Sequence, residues 1–229
     1  MPRESLTKHL IQIQDEVLLL GSMVEQAMRM AVDSLKRRDR STAREIPKAD
    51  QRINEKRFAI ENAILILIAT QQPMAHDLRQ LTAMLEIITE LERIGDYAKG
   101  IAKITHRLGD HEVPMPAHEF EQMSEIAVGM LHRALSAFIN ENPNEAVVIS
   151  QEDDQVDSLY ERAYRSIVEA MIANPATIDQ SNLLLWVAHN LERTADRVTN
   201  ICERTVFIST GELLEMDSTD DELDTEEID

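Results

Sequence analysis

Apolar residues recur with a helical period almost from the start of the chain. Leu6, Leu10, Ile13, Val17, Leu20, Val24, Ala27, Ala31 and Leu35 fall on one face of a long first helix. Asp39 to Ser41 predicts a turn, with Ser41 or Thr42 as the N-cap of the next helix. That second helix runs through Ile53, Ile60, Ile64 and Leu67 to Thr70. Gln71-Gln72-Pro73 stops it, because proline has no amide hydrogen to give and crowds the residue before it. A third helix extends from about Met74 through Leu81, Leu85, Ile88 and Leu91 to His106. Gly109 to Pro116, with two prolines, reads as a linker. The pattern then restarts: a fourth helix over roughly Ala117 to Asn140, a break at Asn142-Pro143-Asn144, and a fifth helix to Ala173. A second break at Asn174-Pro175 precedes a sixth helix, which reaches about Ile208 with Gly211 as its stop.

Three helices, a linker and three helices predict an all-α fold of two tandem antiparallel three-helix bundles related by a pseudo-twofold repeat, residues 1–110 and 111–211. Composition agrees, since aromatics are only 3% and strand formers are scarce. The single cysteine, Cys202, excludes an intramolecular disulfide and a Cys-based metal site. It continues the apolar stripe of Leu184, Leu191, Ala195 and Val198, so a buried, inert thiol is expected. Met1-Pro2-Arg3-Glu4-Ser5 lacks the apolar core of a signal peptide, and the longest apolar run, Ala63 to Ala69, is too short to span a bilayer. The expectation is a soluble cytoplasmic protein that meets a membrane only through protein partners.

Charge narrows the partners. Of the formal −19, ten acids and no Lys or Arg lie between Glu212 and Asp229, a segment expected to be a disordered acidic tail. The rest of the chain still carries about −9. That balance argues against nucleic acid, anionic lipid and direct capture of phosphate-like anions, and favours metal cations or basic protein surfaces.

The candidate chemistry is duplicated. Leu91-Glu92-Arg93-Ile94-Gly95-Asp96 is answered by Leu191-Glu192-Arg193-Thr194-Ala195-Asp196. Each copy sets two carboxylates one helical turn apart, an arrangement that costs a few tenths of a kcal/mol unless a cation offsets it. Glu192 and Asp196 lie 17 and 21 residues after Pro175, while Asp153 and Asp157 lie 22 and 18 residues before it. An antiparallel hairpin therefore brings the two pairs level, roughly 30 Å from the turn. In the first repeat Asp50 and Asn54 face Glu92 and Asp96 in the same way. The spacing of His189, Glu192, Asp196, Asn200 and Glu203 puts all five on one face of the sixth helix. Thr89, Glu92, Asp96, Gly100 and Lys103 hold the matching positions of the third, so the first site loses outer ligands and gains an ammonium. Oxygen-rich sites of this kind suit Mg, Mn or Fe, and His189 adds a donor for Fe or Zn. The bland alternative is a solvated stripe, neutralised internally by Arg93–Asp96 and Arg193–Asp196 pairs. A di-metal oxidase is disfavoured because no Glu in the chain is followed three residues later by His.

The chain also resembles the PhoU family of phosphate transport system regulators, from about residue 5 to 210. Five stretches carry the likeness: Leu20-Gly21-Ser22-Met23-Val24-Glu25-Gln26, Gln72-Pro73-Met74-Ala75-His76-Asp77-Leu78-Arg79, Leu91 to Asp96, Asp153 to Asp157, and Leu191 to Glu203. The resemblance implies two three-helix bundles, a cytoplasmic and often homodimeric protein without catalysis, and metal clusters of divalent or trivalent ions. Those clusters would sit at Asp153–Asp157, Glu192–Asp196, Glu92–Asp96 and Asp50–Asn54. It implies as partners the ATPase of the phosphate ABC transporter and a sensor histidine kinase, with uptake and the phosphate-starvation response restrained when phosphate is plentiful. An accessory subunit of another anion transporter is the alternative. Gly100 and Lys103 depart from the Asn200-x-x-Glu203 of the second repeat.

Overall fold

The apolar positions of the first helix, from Leu6 to Leu35, are all buried in α1 (Pro2–Lys36) of the computed structural model. The structure describes residues 2–109 and 112–216. Every regular element among them is helical: α1, α2 (Arg40–Ala43), α3 (Ile46–Gln71), α4 (His76–Leu108), α5 (Ala117–Ile139), α6 (Pro143–Ser150), α7 (Asp153–Ala173) and α8 (Ile178–Thr210). A single 3-10 turn, Pro175–Thr177, leads into α8.

The long helices pack as two sets of three. In one, α1, α3 and α4 lie against one another; in the other, α5, α7 and α8 do the same. The sets join along α1 against α5 and, more extensively, along α4 against α8. One continuous apolar cluster runs through both sets. At the α1–α5 junction an added Cβ at Gly21 would run into the Leu135 side chain, so glycine lets these two helices approach. Cys202 is fully buried, and desolvation pushes its thiol up to about 12, which leaves it unreactive at neutral pH. No helix among the described residues is long and apolar enough to cross a membrane.

Most helix ends fall where punctuation places them. Gln72, with φ 49, ends α3 ahead of Pro73, and Gly211, with φ 80, closes α8 by donating its N–H to Phe207 O. Two details differ. The second helix of the sequence reading is a short α2 followed by the long α3, which starts after Glu45 with no side-chain cap; Asp39 caps α2, its Oδ1 accepting from the backbone of Ser41 and Thr42 and its Oδ2 from the Thr42 hydroxyl. These donors hold the Asp39 carboxyl far below the ordinary range. The fifth helix of the sequence reading is two helices, α6 and α7, broken at Gln151-Glu152. Arg133 of α5 grips Glu152 there through two bonds of 2.6 Å. The break makes Asp153 the first residue of α7, where the positive end of the helix dipole favours a carboxylate. The acidic segment from Asp217 onward lies outside the described residues.

Candidate functional site

The first-repeat carboxylates gather between α3 and α4. Asp50 is 4% exposed, although it is ionisable, and its Oδ2 accepts from Lys99 Nζ at 2.7 Å. The same ammonium lies 3.2 Å from Asp96 Oδ1. The other oxygen of Asp50, Oδ1, is buried without a hydrogen-bond partner and faces the bare backbone of Gly95. Asn54 turns its amide back to Asp50 O. Burial raises the Glu92 carboxyl above its ordinary range, and the charges of Asp96 and Asp50 add to the effect; Arg57 and Arg93 act against it. The contact with Asp50 raises Lys99 in turn. Lys103, the ammonium singled out from the sequence, is exposed; the one that reaches the carboxylates is Lys99. Arg93 also reaches a second acid of α4. It donates to Glu90 Oε1 at 2.9 Å.

In the second repeat the register of α7 against α8 follows from which charges act on which groups. Asp153 acts on Cys202, and Glu192 acts on Tyr160, whose hydroxyl is pushed up mainly by burial and then by that carboxylate. Asp157 lies between Asp153 and Tyr160, and so stands level with Asp196. His189 Nδ1 is 3.2 Å from Glu192 Oε2, and burial first, then Arg193, lowers its basicity. Asp153 and Glu203 are both buried. The hydroxyl of Thr199, one turn beyond Asp196, is buried with no hydrogen-bond partner.

The five stripe residues of α8 lie within an arc of about 80°, with Asn200 at the edge nearest α4. Its Nδ2 donates to Glu90 Oε2 on α4 at 3.3 Å. Glu203 Oε1 accepts from the backbone N–H of Met216 at 3.0 Å, and its Oε2 is 3.6 Å from Arg204. Glu86, Glu90, Asn200, Glu203, Arg204 and Glu215 line an acidic cavity of about 460 Å³ at this end.

Asn200 belongs to a ladder along α4 and α8 that the sequence reading missed. Arg204 meets Glu86 at 3.0 Å, Arg197 meets Glu90 at 3.3 Å, and the Arg193 guanidinium lies over the Tyr97 ring. The ladder is pseudo-symmetric. Glu90 opposite Asn200 is matched by Asn190 opposite Gly100, where a Cβ would come within 3.1 Å of the Asn190 amide. Glycine at position 100 is thus accounted for by packing in the seam.

The donor set of the second repeat fits a hard cation in kind. Asp157 of α7 falls level with Asp196 of α8, Asp153 lies nearer Cys202, about a turn away from the pairing that the spacing predicts, and the buried Thr199 hydroxyl follows Asp196 by one turn. Among the described residues, however, no group of three or more His, Cys, Asp or Glu is gathered around an ion-sized centre. The first repeat fits poorly, since Lys99 stands between two of its three carboxylates.

Sequence comparison adds an independent finding. The model of the PhoU domain matches the chain twice, over residues 17–105 and 120–205. A phosphate-specific transport system accessory protein PhoU homolog of Clostridium acetobutylicum is 34% identical over 94% of this chain and 99% of its own length. The homolog of Caulobacter vibrioides is 35% identical over 92% of each. The crystal structure of the phosphate transport system regulatory protein PhoU from Streptococcus pneumoniae superposes with a TM-score of 0.85 at 31% identity, covering 91% of this chain and 99% of that one. PhoU from Pseudomonas aeruginosa gives the same score at 28% identity, over 90% of this chain and 99% of that one.

Proposed function

We propose that this chain, which belongs to the PhoU family, is an accessory regulator of phosphate transport. It restrains the phosphate ABC transporter and the phosphate-starvation two-component response when phosphate is plentiful. Its partners on this reading are the transporter's ATPase and a sensor histidine kinase, met from the cytoplasm, and it works without catalysis as a homodimer. Residues 1–110 and 111–211 act as its two units. The observation that carries the reading is the family relation along nearly the whole folded length, in both repeats. The acidic body supports it too, because a protein of this charge is poorly made to bind phosphate and better made to regulate through protein surfaces.

We further propose that Asp153, Asp157, Glu192 and Asp196 hold a divalent or trivalent cation, with His189 at the edge of the site and the Thr199 hydroxyl beside it. Support comes from the register that sets Asp157 of α7 against Asp196 of α8 and from the buried hydroxyl of Thr199 one turn on. Bound there, the ion would neutralise carboxylates that otherwise repel and tie α7 to α8. The test of the regulatory reading is a clean deletion of the gene. Phosphate uptake and phosphate-responsive transcription should become insensitive to external phosphate, and the intact gene should restore the response. Normal repression in the deletion strain would overturn the proposal.

A further inference from the structure

We propose that the first-repeat site is a cation site filled by the protein's own ammonium, Lys99, and takes up no metal ion, so that metal dependence is confined to the second repeat. The proposal rests on the reading of the second repeat as a metal site, and it concerns how the other half answers the same problem.

Asp50 is an acid shielded from solvent, and such a group persists only when something cationic meets it. Lys99 does so at 2.7 Å, and at 3.2 Å it also reaches Asp96, bridging α3 to α4 as an ion would. Arg57 supplies a second cation beside Glu92. At the matching positions of the second repeat the chain carries neutral groups. Thr199 follows Asp196 as Lys99 follows Asp96, and Tyr160 follows Asp157 as Arg57 follows Asn54. The amide of Asn54 replaces the carboxylate of Asp157 as well. Three substitutions therefore move the first site in one direction: fewer anionic oxygens and two fixed positive charges.

A hard divalent ion needs about six oxygen ligands, several of them anionic, and would sit a few Å from the ammonium. Repulsion at that distance in a partly buried gap is strong, and expelling Lys99 would discard its two ion pairs. The buried Oδ1 of Asp50 does not change the balance. One free carboxylate oxygen falls far short of the several anionic ligands that a divalent ion needs. The consequence is a first repeat whose bridge between α3 and α4 is present at every ion concentration.

The experiment is a titration of Mn²⁺ into the full chain, read by calorimetry and by the electron paramagnetic resonance of free Mn²⁺. The parent and the double variant Glu92→Ala/Asp96→Ala should bind the same number of ions. Lys99→Thr should bind one more per chain, with a melting temperature that is lowered in EDTA and restored by Mn²⁺. Adding Glu92→Ala/Asp96→Ala to it should remove the extra ion. Lys99→Gln serves the same purpose should the threonine variant fail to fold. Loss of an ion from the parent on Glu92→Ala/Asp96→Ala would overturn the proposal. So would failure of both folded Lys99 variants to gain one. A parent that binds no Mn²⁺ would instead sink the metal reading of the second repeat. Lys99→Thr in a Glu192→Ala/Asp196→Ala background would still decide the role of Lys99.

Discussion

Glu90 joins α4 to α8 across the seam between the repeats, and its removal gives a quantitative test of that seam. It is 9% exposed and accepts from Arg93 at 2.9 Å and from Arg197 and Asn200 at 3.3 Å each. The bond to Arg93 contributes little, about 0.5 kcal/mol, because that guanidinium is half in solvent. Arg197 is the larger loss. Its side chain is only 16% exposed, and breaking a buried pair by deleting one partner costs about 3–5 kcal/mol. The long contact and the nearby Tyr97, which also holds Arg197, argue for the low end. Glu90→Ala should thus lose about 3 kcal/mol, a fall of roughly 6–12 °C in melting temperature for a chain of this size. A Glu90→Gln variant keeps the shape and one acceptor and should lose about half as much.

Urea unfolding followed by circular dichroism gives the stability, and a cycle with Arg197→Ala gives the coupling, expected at about 1–2 kcal/mol. Trp186, the only tryptophan, is exposed on α8 and reports on the second repeat by fluorescence. If the seam couples the repeats, the two probes coincide in the parent and separate in Glu90→Ala. A loss below about 0.5 kcal/mol, or additive single variants, would refute the reasoning and make Glu90 an ordinary solvated acid.

Two further outcomes follow from the site and its edge. The Glu92 carboxyl is raised by burial and by Asp96, so its ionisation opposes folding. That penalty is absent below the unfolded value near pH 4 and grows as pH rises through the folded one. Glu92→Gln should therefore be more stable than the parent at pH 7 in EDTA and equal to it near pH 4; an advantage that persists at pH 4 would remove the electrostatic cause. Deleting residues 217–229 should leave the melting temperature within about a degree, whereas deleting 212–229 should cost about 1 kcal/mol through the lost Met216–Glu203 bond. Equal losses from the two truncations would place that stability in the acidic segment itself.

The fold was legible because its signals are local. Helical periodicity buries the right residues of α1, and Gln72-Pro73, Asn174-Pro175 and Gly211 end helices by backbone chemistry that needs no partner. The misreadings have one physical source. Gln151-Glu152 contains good helix formers, and only the tertiary grip of Arg133 on Glu152 marks the break between α6 and α7. The Asp39 cap was hidden by two better-placed hydroxyl residues that turn out to donate to it. Lys99 was within reach of the sequence: it stands three residues after Asp96, and aligning the repeats sets it against Thr199. Its contact with Asp50 crosses between helices and has no signature in either one alone.

Helix α8 shows why a repeated motif does not give a repeated site. Its Asp196 stands level with α7 while the adjacent Arg197 meets Glu90 of α4, so a single turn serves two interfaces with opposite charges. In α4 the matching turn carries Asp96 and Tyr97. There the acid is met by Lys99, and the ring receives the Arg193 guanidinium. Three rungs of the seam pair an arginine with an aromatic or acidic acceptor, each time with the arginine on α8 and the acceptor on α4. Once α8 gives the cation and α4 the acceptor, the rungs differ between repeats even though Leu-Glu-Arg-x-x-Asp is kept. The conserved letters set the helical face, and the residues between and beyond them decide what that face can hold.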